Sequence, residues 1–199
     1  MSGTPNVAAI ILAAGRGARF SANENKLLAP LDGKPLLRHV AEAALASRAS
    51  RVIVVTGDKR DQIAAALAGL SISYAHNADF ANGLASSLRA GLAAAAEADG
   101  ALVLLGDMPG VAAPVLDALI MAFGDAPHCA AVVPVCQGWW GNPVLLARAL
   151  FPQLTRLQGD EGARRLLRSS EGVVELPLDD PNILADVDTP ADLASFRRI

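Results

Sequence analysis

A short segment joins small residues to cations: Leu12-Ala13-Ala14-Gly15-Arg16-Gly17-Ala18-Arg19, with Lys26 a short loop later. Small residues let a backbone approach a ligand closely. Their N–H groups, together with Arg16, Arg19 and Lys26, suit phosphate oxygens, so a nucleoside triphosphate is the ligand these types point to. Two further groups bring carboxylates. Gly106-Asp107-Met108-Pro109 sets an Asp just past an apolar run, and Asp186-Val187-Asp188-Thr189-Pro190 alternates two Asp about a Val. In an extended segment the alternating pair faces one side. Asp107 with Asp188, and Asp186 beside them, would hold a divalent ion, since Mg²⁺ takes few carboxylates plus substrate phosphates. Cations for a triphosphate and carboxylates for a metal are the equipment for attack on an α-phosphate with pyrophosphate leaving. That chemistry needs positioning and charge neutralisation more than a protein nucleophile.

Each element taken alone also has a plain structural reading. The glycines suit a tight turn, Asp107 suits a turn before Pro109, and Asp188 or Thr189 suits a cap on a helix opened by Pro190. Other chemistries find less support. Gly15-x-Gly17 has Phe20 where a dinucleotide fingerprint needs a third glycine, and no Gly-Lys-Ser/Thr of the Walker type occurs. Ser86 and Ser87 lack a Gly-x-Ser-x-Gly frame, and His39, His76 and His128 are scattered without metal-ligand spacing.

These residues must be positioned by regular elements, and the chain alternates them. Apolar runs at 7–12, Arg51–Thr56, 72–74, 101–105, 130–135 and 173–176 read as strands. Amphipathic or Ala-rich stretches at 35–46, 60–70, 84–96, 114–123 and Ala163–Arg168 read as helices, with a closing helix after Pro190. Residues 183–187 read as a further strand, and residues 137–143 as a turn-rich insert carrying Trp139 and Trp140. The βαβα rhythm predicts an α/β fold with a mostly parallel, helix-covered sheet. Ligands of such sheets sit at the carboxyl ends of the strands, where both Gly15 and Asp107 fall.

The chain has 199 residues, 52% of them hydrophobic, and a formal net charge of −3. That is enough for one domain, 1–199, with a substantial core, and no linker interrupts it. No basic stripe points to nucleic acid, and no apolar run is long enough to span a bilayer. Cys129 and Cys136 do not form a Cys-x-x-Cys pair and read as packed thiols. A reducing cytoplasm is the expected location.

Four ordered motifs resemble the nucleotidyltransferases of molybdenum cofactor maturation. They are Leu12-Ala13-Ala14-Gly15-x-Gly17-x-Arg19, Lys26-Leu27-Leu28-x-Pro30-Leu31-x-Gly33-x-Pro35-Leu36, Gly106-Asp107-Met108-Pro109 and Asp186-Val187-Asp188-Thr189-Pro190. The more distant sugar and isoprenoid nucleotidyltransferases are similar as well. The resemblance implies a Rossmann-like three-layer α/β/α fold and Mg²⁺-dependent transfer. Ala14, where the guanylyltransferase branch typically has Gly, resembles the cytidylyltransferase branch. The implied reaction takes CTP and molybdopterin-bound molybdenum to the cytosine dinucleotide cofactor and pyrophosphate, the product then passing to a molybdoenzyme. Alternatives are GTP as donor, a sugar phosphate or other small phosphate as acceptor, and a delivery protein without catalysis.

By the same resemblance Arg19, Lys26 and Asp107 serve catalysis, and residues Leu12 to Gly17 with Arg19 and Lys26 hold the nucleotide. Asn77-x-x-Phe80-x-x-Gly83-x-x-x-Ser87-Leu88 looks like the segment near base and ribose, with Gly83 and Ser87 at the cytosine. Trp140, Gly141, Asn142, Gly159 and Gly162 fall on the acceptor side, where Trp139 or Trp140 would stack on a pterin. The chain departs from the family after Arg19, where Phe20 to Asn25 replace Met-Gly and a short run. It departs again at Asn142, which stands where this branch often carries His.

Overall fold

The computed structural model describes residues 4–15 and 25–196. Val7–Ala13 (β1) is apolar throughout and almost wholly buried, as a central strand covered on both faces must be. After a small hairpin, Pro30–Leu31 (β2) with Lys34–Pro35 (β3), come Leu36–Ala46 (α1), Arg51–Thr56 (β4), Arg60–Ala66 (α2) and Ser73–His76 (β5). Leu84–Ala94 (α3), Gly100–Leu105 (β6), Ala113–Asp125 (α4) and Ala131–Cys136 (β7) continue the alternation. The last part holds Trp139–Trp140 (β8), Val144–Ala147 (β9), Phe151–Leu154 (α5), Ala163–Arg168 (α6), Val173–Pro177 (β10) and Pro190–Phe196 (α7).

The main sheet runs β10-β7-β9-β6-β1-β4-β5, with β8 added on β7. β1 pairs in parallel with both β4 and β6, β4 with β5, and β7 with β10, whereas β9 runs antiparallel between β6 and β7. Side-chain alternation along the strands separates two cores. Ala9, Ile11, Val54, Leu102 and Leu104 pack with α1, α2 and α4 on one face. Ala8, Ile10, Val55, Ala101 and Val103 pack with α3, α5 and Leu167 of α6 on the other. The architecture is thus three-layered α/β/α, as expected.

Two features aim the helices at the strand tips. In α3, a Cβ at Gly91 would lie 2.5 Å from Ile10 Cγ2 and 3.1 Å from Val55 Cγ2. The missing side chain lets α3 lie close on β1 and β4, which holds its first turn over their carboxyl ends. In α7, Thr189 and Asp192 form a reciprocal cap: the Thr189 N–H donates to Asp192 Oδ2 at 2.7 Å and the Asp192 N–H to Thr189 Oγ1 at 3.2 Å. Leu193 then docks beside Leu31, Leu36 and Val187 in a third cluster.

Two expectations need correction, and one strand is added to them. The strand read at 183–187 does not form. Pro181 opens a 3₁₀ turn, Pro181–Leu184, which the Asp180 carboxylate caps by accepting from the Asn182 N–H at 2.9 Å. Beyond it the Val187 N–H donates to the Asp107 carbonyl at 2.9 Å, and among the described residues no strand ladder forms there. The helix expected to reach residue 70 ends at Ala66, and Gly69 follows at a φ of +83° that helices do not use. The strand β9, short and apolar beside a turn-rich insert, is an addition to the elements that the sequence pattern predicts.

Candidate active site

β1 and β6 end side by side, and their tips build the centre of the site. The Gly106 N–H donates to the Leu12 carbonyl at 3.1 Å, and a Cβ at Gly106 would lie 3.0 Å from that oxygen and from Leu37 Cδ1. Glycine therefore lets β6 close on β1 and delivers Asp107 at its end. The Asp107 carbonyl receives the Val187 N–H, and Val187 is fully buried. With Val187 turned inward, its neighbours Asp186 and Asp188 turn to the same side as Asp107. One carboxylate oxygen from each of the three lies within 4.8 Å of the others.

Lys26 reaches this cluster from a 3₁₀ turn, Lys26–Leu28, anchored by buried Leu27 and capped by Asn25, whose side chain accepts the Leu27 N–H at 3.0 Å. Its Nζ stands 2.6 Å from Asp107 Oδ2 and 2.7 Å from Asp188 Oδ1. Burial pulls the Lys26 pKa down, but hydrogen bonds and charge from Asp107 and Asp188 outweigh it and raise the pKa above the ordinary lysine value. Asp186 also shifts upward: burial, then the charges of Asp107 and Asp188, raise its carboxyl above the usual range. Asp107 Oδ1 is buried and has no hydrogen-bond partner among the described residues. A buried carboxylate oxygen without a donor is costly, and a cation or metal-bound water at that point would satisfy it. Three converging carboxylates with an unmet oxygen form a donor set that fits a hard divalent ion.

Beside the cluster opens a cleft of about 710 Å³, lined by Leu12, Ala14, Gly15, Lys26, Gly83, Ser87, Leu105, Asp107, Asp160 and Asp188 among others. At Gly15 nothing among the described residues lies within 4 Å of where a Cβ would stand. Ala13 turns its side chain the other way, into the core with Leu37. Arg16, Gly17 and Arg19, expected at the phosphates, lie outside the described residues.

The opposite wall is made where α3 meets a distant loop. Gly83, at φ +89°, is so close to the Gly159 carbonyl that a Cβ there would collide with both its carbon and oxygen. The Gly159 oxygen accepts the Ala85 N–H at 3.0 Å, and Asp160 Oδ1 accepts the Leu84 N–H at 3.3 Å. Gly159, expected on the acceptor side, therefore stands at the wall of the large cleft, and Gly162 caps α6 next to Leu84.

A second pocket of about 300 Å³ lies beyond Leu105, which lines both spaces. Trp139, Trp140, Gly141, Asn142, Arg164 and Asp186 line it, so three residues expected at an acceptor are together here. The two tryptophans differ. Trp140 is held by its Nε1–H donating to Glu175 Oε1 at 2.7 Å, and Arg168 lies over its ring at 5.7 Å. Trp139 is 71% exposed and lines the pocket. A Cβ at Gly141 would lie 2.6 Å from the Ile183 carbonyl, so glycine lets this loop close on the segment leading to Asp186.

Leu105 joins the site without a sequence signal of its own. Leu105 is one more apolar residue of a strand. Asp160 stands in view beside Gly159, but its place at the cleft depends on a contact with Leu84 across the fold.

The comparisons with known proteins agree with this architecture. A family model described as a MobA-like NTP transferase domain matches residues 9–174. Purine catabolism protein PucB of Bacillus subtilis (strain 168) is 31% identical over 209 residues, covering 98% of this chain and 98% of that protein. The crystal structure of Rv0371C from Mycobacterium tuberculosis H37Rv in complex with manganese is 27% identical, with a TM-score of 0.81 over 97% of this chain and 98% of that one. Molybdopterin-guanine dinucleotide biosynthesis protein A from Archaeoglobus fulgidus shares the fold, with a TM-score of 0.73 at 21% identity over 96% of this chain and 97% of that one. A strand-end acidic cluster beside a glycine-lined cleft, on this fold and with these relatives, makes the chain a nucleotidyltransferase belonging to the MobA-like NTP transferase family.

Proposed function

We propose that the protein transfers CMP from CTP to molybdopterin-bound molybdenum cofactor in the presence of Mg²⁺, releasing pyrophosphate. The observation that carries this reading is the meeting of Lys26, Asp107, Asp186 and Asp188 at the junction of the two spaces. The nucleotide takes the larger cleft, its triphosphate along the Leu12–Gly15 backbone and its base toward Gly83 and Ser87. The acceptor takes the smaller pocket, its pterin against Trp139 and its phosphate directed at Asp186 and Asp188. Support for a divalent ion comes from the donor set and from the manganese in the Rv0371C complex. Support for the pterin acceptor comes from the fold shared with the molybdopterin-guanine dinucleotide protein. Support for CTP over GTP comes from the resemblance of Ala14 to the cytidylyltransferase branch, where the guanylyltransferase branch typically has Gly.

In the reaction an oxygen of the acceptor's phosphate attacks the α-phosphorus of CTP. A new P–O bond forms as the bond to the β-phosphate oxygen breaks, and pyrophosphate leaves with that electron pair. Asp107 and Asp188, with Asp186 beside them, would hold the Mg²⁺, which when bound would offset charge on the α-phosphate and leaving group. Lys26 keeps a full positive charge at neutral pH, since its carboxylate neighbours raise its pKa, and neutralises the transferring phosphate together with Arg19.

The test is pyrophosphate release with CTP or GTP, against molybdenum cofactor and a panel of sugar phosphates, with Mg²⁺ present or chelated. Metal-dependent release with CTP and molybdenum cofactor is the expected result. Release only with GTP, or only with a sugar phosphate, would overturn the donor or the acceptor respectively.

A further inference from the structure

Asn77, Ser86 and Ser87 are buried polar residues, 5%, 3% and 6% exposed, joined at the inner wall of the large cleft. Asn77 follows β5, its own N–H donating to the Thr56 carbonyl at 2.7 Å, so its side chain is fixed at the sheet edge under α3. The Asp79 N–H donates to Asn77 Oδ1 at 3.0 Å, which settles the amide orientation, because only the oxygen can accept there. Both protons of Nδ2 then point at hydroxyls, Ser86 Oγ at 2.8 Å and Ser87 Oγ at 3.1 Å. The two serines are not equivalent. Ser86 passes its proton to the Gly83 carbonyl at 2.8 Å. Ser87 lines the cleft, and among the described residues its proton has no acceptor. With an amide hydrogen occupying one side of Oγ, the hydroxyl proton must turn away from Asn77.

From this geometry, and resting on the nucleotide reading above, we infer that Asn77 is a positioning residue that fixes Ser87 as a hydrogen-bond donor to an acceptor atom of the nucleobase. Asn77 itself touches no ligand. Its effect is on polarity: a serine hydroxyl free to rotate offers either a donor or a lone pair, and the amide removes that choice. A fixed donor favours a ring edge that presents an acceptor, such as N3 of cytosine, over one that presents N–H, such as N3 of uracil. Sites that leave a buried polar group unpaired against the wrong ligand discriminate most strongly.

Asn77→Asp tests this with almost no change of shape. The new carboxylate still accepts from the Asp79 N–H, but toward Ser87 it can only accept. The Ser87 proton then turns to that carboxylate, and a lone pair faces the cleft. The KM for CTP should rise about tenfold and the CTP-to-UTP preference fall about tenfold, the loss of one hydrogen bond, with kcat at saturation changed far less. In a Ser87→Ala background, Asn77→Asp should leave the CTP-to-UTP preference where Ser87→Ala alone sets it. An unchanged ratio in Asn77→Asp alone, or a shift that persists fully in the Ser87→Ala background, would overturn the inference. Should Asn77→Asp lower the melting temperature too far for kinetics, Ser87→Ala alone carries the test: CTP binding by calorimetry weakens if the donor exists, and unchanged affinity refutes it. If wild type prefers GTP, the CTP assignment fails separately, and the same variants are scored on guanine, whose O6 is the acceptor.

Discussion

Lys26 Nζ and Asp107 Oδ2 stand 2.6 Å apart, although one belongs to a 3₁₀ turn early in the chain and the other to the tip of a strand past its middle. The pair is mostly shielded, with side chains 15% and 18% exposed. Asp107→Asn keeps the backbone carbonyl that receives Val187 and removes only the charge. Turnover should fall at least about a hundredfold, as when one charge-stabilising group is removed from a transfer site. Far-ultraviolet circular dichroism should be unchanged, and the melting temperature should move by only a few degrees (roughly 1 kcal/mol). Near-normal pyrophosphate release by this variant would remove Asp107 from the reaction.

Lys26 also occupies the position a metal would use, since it bonds two of the three converging carboxylates. The ammonium and a divalent ion therefore compete for the same oxygens until a phosphate draws the lysine away. Lys26→Met removes the competitor. Without nucleotide, Mn²⁺ should bind this variant more tightly, by at least about threefold, measured by electron paramagnetic resonance of the free ion. With nucleotide, turnover should drop, because the charge opposite the triphosphate is gone. Equal Mn²⁺ affinity in both proteins would show that Lys26 does not guard the carboxylates.

Gly83→Ala acts on the opposite wall. Its φ of +89° strains any other residue, and the new methyl would meet the Gly159 carbonyl and come within 2.7 Å of Asp160 Oδ1. The loop that carries Asp160 must move back. Denaturant unfolding should show a loss of about 1–3 kcal/mol, and the KM for nucleotide should rise more than the KM for the acceptor. An equal effect on both substrates would mean that the wall serves the fold alone.

The cap of α7 sets a pH dependence. Hydrogen bonds from the Thr189 hydroxyl and N–H, with one from the Asp188 N–H, hold the Asp192 carboxyl below its ordinary 3.8. A depressed folded pKa means the ionised form favours the native state. Its contribution is complete above the unfolded pKa and disappears as pH falls through the lower folded value. The stability difference between wild type and Asp192→Asn should therefore be constant from neutral pH to about pH 4 and shrink below it. Thr189→Ala should lower stability measurably at neutral pH, because it removes one half of the reciprocal cap. Urea unfolding across that range checks both, and a gap that widens in acid would contradict the cap.

The sequence is most informative where local pattern and burial coincide. The apolar run of β1 needs both faces covered, and small residues right after it announce an approach to a ligand. Asp107 is legible because a carboxylate just past a buried strand can serve a metal as well as a turn, and the alternation of Asp186 and Asp188 follows from one buried Val between them. What escapes is set by contacts between distant segments. β9 is four residues long and takes its direction from β6 and β7 on either side. The 183–187 stretch has strand-like composition, yet Pro181 and the Asp180 cap fix a 3₁₀ turn first. Gly159 packs against the start of α3 because its carbonyl meets the Ala85 N–H, a pairing that no local pattern encodes.

Leu105 separates the larger cleft from the smaller pocket while belonging to both. On the proposed assignment, each reactant taken alone would lean on one side of that partition. A joined molecule would then bend over it and grip both chambers together, held by more protein surface than either precursor. Departure of the finished compound, more than its making, would then be the slow step.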